Sequence, residues 1–253
     1  MSQRVLISGA GSGIGYAIAE AFSRAGAQVW VTDIDQGALD SCPPSWQCSR
    51  VDMSQESEVL ALFSELKFSW SGLDVLCSNA GIAGPTAMIE NMSLEGFQAC
   101  VRVNLQGAFL ATRAAAPILK EQRSGAIIYT SSTSGINGHP NRSPYAAAKW
   151  GINGLMKTVA MELGPFSIRA NSICPGAVEG PRIERVLKKE AFLKGTTRDA
   201  IYQGYAAGTS MRSFVMAHDV ANMAVFLGSD GARMVSGQII AVDGHTENPD
   251  PKI

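Results

Sequence analysis

The sequence predicts an α/β protein: a single doubly wound parallel β-sheet with helices on both faces, formed by one domain over residues 1–253. Three observations carry the prediction. Short β-branched and apolar runs alternate with stretches of helical periodicity, as a parallel sheet covered by crossover helices requires. The first run opens into a glycine-rich turn followed at once by a helical pattern. Gly9, Asp33, Asn79, Ser132 and Pro175 all fall where a run ends, and in such sheets ligands bind beyond the carboxyl ends of the strands.

The bulk numbers permit this and exclude other classes. A chain of 253 residues with 46% hydrophobic content buries a substantial core. The formal net charge of -1 and the lack of a Lys/Arg block speak against a nucleic-acid partner. No segment approaches the roughly 18 apolar residues of a membrane span, and the first apolar run is too short for a signal peptide. Five scattered cysteines without a C-x-x-C pair predict reduced thiols in a cytoplasmic protein. No His/Cys/Glu cluster has metal-ligand spacing, so no metal is expected.

In chain order, Val5-Leu6-Ile7-Ser8 reads as a strand and Gly9-Ala10-Gly11-Ser12-Gly13-Ile14-Gly15 as the turn into a helix running through Phe22. Strand, glycine turn, helix is a phosphate cradle: glycines let the backbone approach a pyrophosphate, and the first helical N–H groups point at its charge. The spacing is G-x-x-x-G-x-G through Gly9, Gly13 and Gly15; G-x-G-x-x-G fails because Ile14 and Tyr16 stand where glycine would be needed. The second strand ends in Asp33, 18 residues after Gly15, near the distance at which a carboxylate meets the adenosine ribose hydroxyls. Asp33 repels a 2′-phosphate and Ile34 follows it, which predicts NAD over NADP; as a bare turn former the same Asp33 would mean nothing more.

Residues 46–51 form a plausible third strand, with Asp52 at its end placed to touch adenine and a helix expected over 54–68 with Ser54 as its N-cap. Residues 73–78 supply a fourth strand closed by Asn79-Ala80-Gly81. Helical spacing then runs unbroken over 93–119 with Asn104 inside it. Either this Asn104 is exposed or locally bonded, or it is buried with its amide satisfied by a specific partner. Residues 125–132 are the fifth strand, and 168–173 a sixth ending at Cys174-Pro175-Gly176. Cys77 and Cys174 fall in strand-like runs as small core residues.

Between those last strands, Ser132 is followed 13 residues later by Tyr145 and four residues after that by Lys149. On a helix over 144–163 the phenol and the ammonium share one face a turn apart. An ordinary tyrosine has a pKa near 10, and a cation within a few ångströms pulls it towards working pH.

Together these residues resemble the short-chain dehydrogenase/reductase family in its compact form, over nearly the whole chain. The resemblance rests on Gly9-x-x-x-Gly13-Ile14-Gly15, Asn79-Ala80-Gly81, Asn104, Ser132, Tyr145-x-x-x-Lys149, Pro175-Gly176 and a C-terminal strand ending Val242-Asp243-Gly244. It implies a Rossmann-type fold and hydride transfer between a nicotinamide and a carbinol carbon. Tyr145 would be the general acid/base and Lys149 its electrostatic partner. Ser132 would orient the substrate oxygen, and Asn104 would support a water chain. The cofactor would lie against Gly9, Ser12, Gly13, Ile14, Gly15, Asp33, Asp52, Met53, Asn79, Ala80, Gly81, Tyr145, Lys149, Pro175, Gly176 and Val178. Two departures stand out. Ala177-Val178 follow Pro175-Gly176 where relatives often carry a Thr, and His245 follows Gly244 where relatives often carry a second glycine.

Substrate choice falls to residues 134–143 and to 180–208, a helical stretch of weak apolar periodicity that reads as a lid. Ser134, His139 and Arg182 are the candidate substrate contacts. Arg182, Arg185, Lys188 and Lys189 either attract an anionic group or form a solvated helix face. The polar tail 246–253 is expected to be disordered. The expected function is NAD(H)-dependent oxidoreduction of a small polar secondary alcohol or ketone, a sugar or polyol derivative. The alternatives are a 3-oxoacyl thioester reductase using NADPH and a non-catalytic dinucleotide sensor or scaffold. Ala111, Ala114, Ala115, Ala147 and Ala148 spread small apolar surface over more than one helix face, which suggests a subunit contact; the resemblance implies a homotetramer.

Overall fold

The computed structural model describes residues 2–250. In chain order the elements are β1 (Arg4–Ser8), α1 (Gly13–Arg24), β2 (Gln28–Asp33), α2 (Gln36–Asp40), β3 (Gln47–Arg50), α3 (Glu56–Trp70), β4 (Val75–Ser78), α4 (Leu94–Val101), α5 (Gly107–Gln122), β5 (Gly125–Thr130), α6 (Ser143–Leu163), β6 (Ile168–Pro175), α7 (Pro181–Lys194), α8 (Arg198–Ala207), α9 (Ala217–Gly228) and β7 (Ile239–Val242). The strands form one seven-stranded sheet in the order β3-β2-β1-β4-β5-β6-β7, and every neighbouring pair is parallel. The strand order reverses between β1 and β4, and a crevice opens at such a switch point beyond the strand ends.

Successive side chains of a strand point to opposite faces, so a strand covered on both sides reads as an unbroken apolar run. The register pairs Leu6 with Trp30 and Leu76, and Leu76 with Ile127. This row is buried with Leu62 and Leu66 of α3, Ala111 and Ala115 of α5, and Ile152 and Met156 of α6. One residue along, Val5, Ile7, Val29, Val31, Val75 and Cys77 turn the other way, onto Ile18 and Phe22 of α1 and Val220, Ala224 and Leu227 of α9. A third, small cluster is separate from both: Leu187 and Ala191 of α7 meet Ile201 of α8, flanked by Tyr202, Tyr205 and Phe214.

Several expectations are corrected. The third helix starts at Glu56, with Gln55 rather than Ser54 in the cap position; the Asp52 carboxylate accepts from Ser54 N at 2.9 Å and holds Ser54 in the turn before the helix. The long helix expected over 93–119 is α4 and α5 joined by a π-helical segment, Arg102–Gln106, that contains Asn104. Ala111, Ala115 and Ala148 lie within the chain's own core rather than on a free face.

The tail is ordered as far as residue 250. Both carboxylate oxygens of Asp243 accept backbone N–H groups, from His245 and Thr246, and this turns the chain back. Glu247 N and Asn248 N then donate to the Gly208 carbonyl at 2.8 and 3.1 Å, and Lys194 pairs with Asp250 at 2.9 Å. Residues 251–253 lie outside the described residues.

Candidate active site

One cavity of about 550 Å³ runs along the carboxyl edge of the sheet, within the usual range for a ligand site. Its lining joins the glycine turn, Asp33, Asp52, Met53, the Asn79 bend, Ser132, Tyr145, Lys149, the Pro175 bend, and residues of α7, α8 and the tail.

At the β1 end, the glycines are required by close approach. Gly9 has φ +62°, and a Cβ there would lie 2.6 Å from Ala80 Cα; on Gly15 it would collide with the Gly9 carbonyl and Asn79 Nδ2. Asn79 ties the two strand ends together: its Nδ2 donates to the carbonyls of Gly9 at 2.8 Å and Ser8 at 3.2 Å. The first turn of α1 carries no acid, so its unpaired N–H groups present uncompensated positive potential to the cavity. Asp33 is fixed by three backbone donors, Gly11 N to Oδ2 at 2.9 Å and Ile34 N and Asp35 N to Oδ1 at 2.8 and 3.2 Å. A carboxylate has roughly four acceptor sites, which leaves Oδ2 one more bond to accept. A shallow turn, a helix N-terminus and a fixed carboxylate on the next strand fit a dinucleotide's pyrophosphate and adenosine ribose.

Beyond β4 and β5 the polar side chains converge. Asn104 is fully buried; its Nδ2 donates to the carbonyls of Cys100 at 2.9 Å and Ile82 at 3.1 Å, while Oδ1 has no partner. Of the two readings of this residue, the structure supports the buried one, and the π-helical segment explains how. One extra residue in the turn rotates Asn104 out of the helical ladder, a distortion often found at functional sites. Gly81 lacks the Cβ that would strike Asn104 Oδ1. Lys149 is buried on α6, and its Nζ donates to the Thr130 carbonyl at 2.7 Å and lies 5.5 Å from the Tyr145 ring centre. Ser132 sits just past β5, its Oγ accepting from Ser134 N at 3.1 Å.

Burial pushes the Tyr145 phenol up, but the charges of Lys149, Arg182 and Arg142 and a hydrogen bond from Ser132 outweigh it, and the net value falls to about 8. Sequence reasoning named Lys149 and Arg182 here and missed Arg142, whose Cζ lies 4.7 Å from the Tyr145 ring centre, against 5.7 Å for Arg182. The available signal was the i, i+3 spacing of Arg142 and Tyr145 at a helix start.

The other side of the cavity is a chain of polar groups. Ser134 Oγ meets His139 Nδ1 at 3.1 Å, and Tyr205 OH, 3.4 Å from His139 Nε2, donates to both oxygens of Glu190 at 2.9 and 3.0 Å. Burial and the neighbouring Arg142 push His139 down to about 4, so it is a neutral ring at physiological pH. Tyr205 and Glu190 carried no sequence signal, nor did Thr246 and Asn248, which reach the cavity only because the tail folds back. After Pro175-Gly176, where a Thr was absent, the backbone is braced instead: Val215 N donates to Ala177 O and Glu179 N to Val215 O, each at 2.9 Å.

A family model described as "Enoyl-(Acyl carrier protein) reductase" matches residues 9–245. The chain is 32% identical to a D-beta-hydroxybutyrate dehydrogenase of Rhizobium meliloti, covering 96% of this chain and 98% of that one. It is 33% identical to the 3-oxoacyl-[acyl-carrier-protein] reductase FabG of Thermotoga maritima, covering 94% and 95%. Among solved structures, NAD+-bound xylitol dehydrogenase superposes with a TM-score of 0.92 at 25% identity, covering 95% of this chain and 97% of that one.

Proposed function

The chain belongs to the short-chain dehydrogenase/reductase family, and on that footing we propose that it oxidises a small polar secondary alcohol, or reduces the matching ketone, with NAD(H). The observation that carries the reading is the buried Tyr145 phenol, drawn down to about 8 beside Ser132 and Lys149 in the cavity that the glycine turn and Asp33 also line.

The glycine turn and α1 would hold the pyrophosphate. Asp33 would hold the adenosine ribose, Asp52 and Met53 the adenine, and Asn79 to Gly81, Lys149 and Pro175 to Val178 the nicotinamide half. Bound NAD(H) supplies the hydride acceptor or donor. The chain supplies the rest: in oxidation the Tyr145 phenolate takes the hydroxyl proton as Ser132 Oγ fixes the substrate oxygen. Lys149 favours the phenolate, and the free Asn104 Oδ1 offers an acceptor for a water that relays the proton outward. Residues 180–208 act as the lid over the substrate. Proton transfer tuned in this way, combined with positioning, contributes ~10²–10⁴-fold from the acid/base term alone.

The sign of the pH dependence follows. Oxidation needs the phenolate, so kcat/KM for alcohol rises with pH through about 8 and levels off above it. Reduction needs the protonated phenol, so its profile falls through the same value. Initial rates in both directions across that window test this, and a flat profile in both would remove Tyr145 from the proton transfer.

NADH formation over a panel of secondary alcohols, polyols and sugars tests the activity itself. The similarity to a 3-oxoacyl reductase favours a second reading, a thioester reductase; turnover confined to acyl thioesters with NADPH would select it. We also propose a homotetramer. Its interface would use the exposed apolar side chains Phe109, Trp150 and Met161 of α5 and α6, since exposed apolar clusters mark association surfaces.

A further inference from the structure

We propose that Arg142 and Arg182 recognise an oxyanion on the substrate, so that the alcohol this site oxidises is a short hydroxy acid or its phosphate-bearing counterpart rather than a neutral polyol. The inference rests on the dehydrogenase reading and narrows it.

Arg142 is only 7% exposed. Its sole hydrogen bond is to a neutral acceptor, Nη2 to the Ala83 carbonyl at 3.3 Å, and its buried Nε has no partner. Among the described residues no carboxylate lies within 4 Å of the guanidinium; the ion pairs of the chain involve other cations. Buried cations are ordinarily paired, because desolvating an unpaired one is costly.

The acids on the elements facing this cavity are committed elsewhere. Glu190 of α7 accepts two contacts from Tyr205, Glu184 pairs with Arg198, Glu179 accepts from Tyr202 at 2.6 Å, and Asp250 of the tail pairs with Lys194. Arg142 therefore brings to the cavity a desolvated positive charge and at least one unused buried donor.

Arg182 strengthens the case from a different element. It stands on the first turn of α7 while Arg142 precedes α6, yet both guanidiniums lie within 6 Å of the same Tyr145 ring and both line the cavity. Two planar donor forks that converge from two sides match the geometry of a carboxylate or phosphate. Because they flank the ring that takes the proton, the anion they bind lies close to the carbinol carbon, which limits the spacer to a short one. The cavity of about 550 Å³ must also take the dinucleotide, and this too excludes a bulky substrate. His139, neutral and bonded to Ser134, adds polarity without competing charge.

A purely electrostatic role, in which the arginines only ease deprotonation of Tyr145, would act alike on charged and neutral substrates. The test is therefore a ratio: kcat/KM for short 2- and 3-hydroxycarboxylates over kcat/KM for their methyl esters, with hydroxyketone phosphates and their neutral parents as a second arm. The wild-type protein should prefer the anion by tenfold or more. Arg142→Gln should reduce that preference on the order of 100-fold, as loss of a buried charged partner does, with Arg142→Lys recovering part of it. The exposed Arg182→Gln, which avoids any folding defect at the buried site, should reduce it about fivefold. Preference in the carboxylate arm identifies a carboxylate and preference in the phosphate arm a phosphate; either supports the site. Turnover of esters and neutral parents at least as efficient as that of the anions overturns the inference and leaves the dehydrogenase reading standing. An anion preference that neither substitution changes also overturns it. Failure of acids, esters and phosphates alike with both NAD and NADP removes both.

Discussion

Tyr145→Phe is expected to lower kcat by ~10³-fold while leaving NADH affinity within a few-fold of wild type, because general acid/base transfer accounts for ~10²–10⁴ of such a rate. The substitution removes one oxygen from a ring that remains packed between Arg142, Lys149 and Arg182, so the fold and the nucleotide turn are untouched. Steady-state rates with the best alcohol of the panel, together with NADH fluorescence titration, read the two effects separately. Any residual activity should also lose the transition near pH 8. Full retention of kcat would mean that another group takes the proton, and a matched loss of NADH binding would mean that the ring is structural.

The second large effect concerns the cofactor. Wild-type kcat/KM is expected to favour NAD over NADP by on the order of 100-fold, since a like charge facing the 2′-phosphate costs several kcal/mol. Asp33→Ala combined with Ile34→Arg should invert that order. Ile34 is 61% exposed and lines the cavity, so a guanidinium placed there has room to meet a phosphate. The same change frees Gly11 N, Ile34 N and Asp35 N from their shared acceptor, so some overall loss of rate should accompany the switch. Equal use of both cofactors by the wild-type protein would show that the Asp33 carboxylate does not face the ribose.

What was legible in the sequence was what local periodicity and strand ends encode. Val5-Leu6-Ile7 reads as a strand covered on both faces because alternate residues serve two different cores, and an unbroken apolar run is the trace of that burial. Gly9 and Asn79 were legible as separate turns; that an asparagine amide joins them across 70 residues was not. Asn104 marks the other limit. Its helical context is local, whereas the π-helical turn that exposes its Oδ1 depends on Ile82 and Gly81, which come from a distant bend. Arg142, Tyr205 and Glu190 were missed for the same reason: each gains its meaning from a partner on another element. The tail was misread because its low apolar content suggested disorder, while its order comes from Asp243 and from backbone pairing at Gly208.

The small core shared by α7 and α8 has a consequence for descent. Leu187, Ala191 and Ile201 pack among themselves and not into the sheet, and the pair is moored to the rest of the chain mainly through polar contacts such as Tyr202 to Glu179 and Lys194 to Asp250. A segment with its own interior can be exchanged, lengthened or redecorated while β1 to β6 keep their register. Selection can thus rewrite what enters the cavity without reopening how the nucleotide is held, and a laboratory grafting residues 181–207 between relatives would be following the same seam.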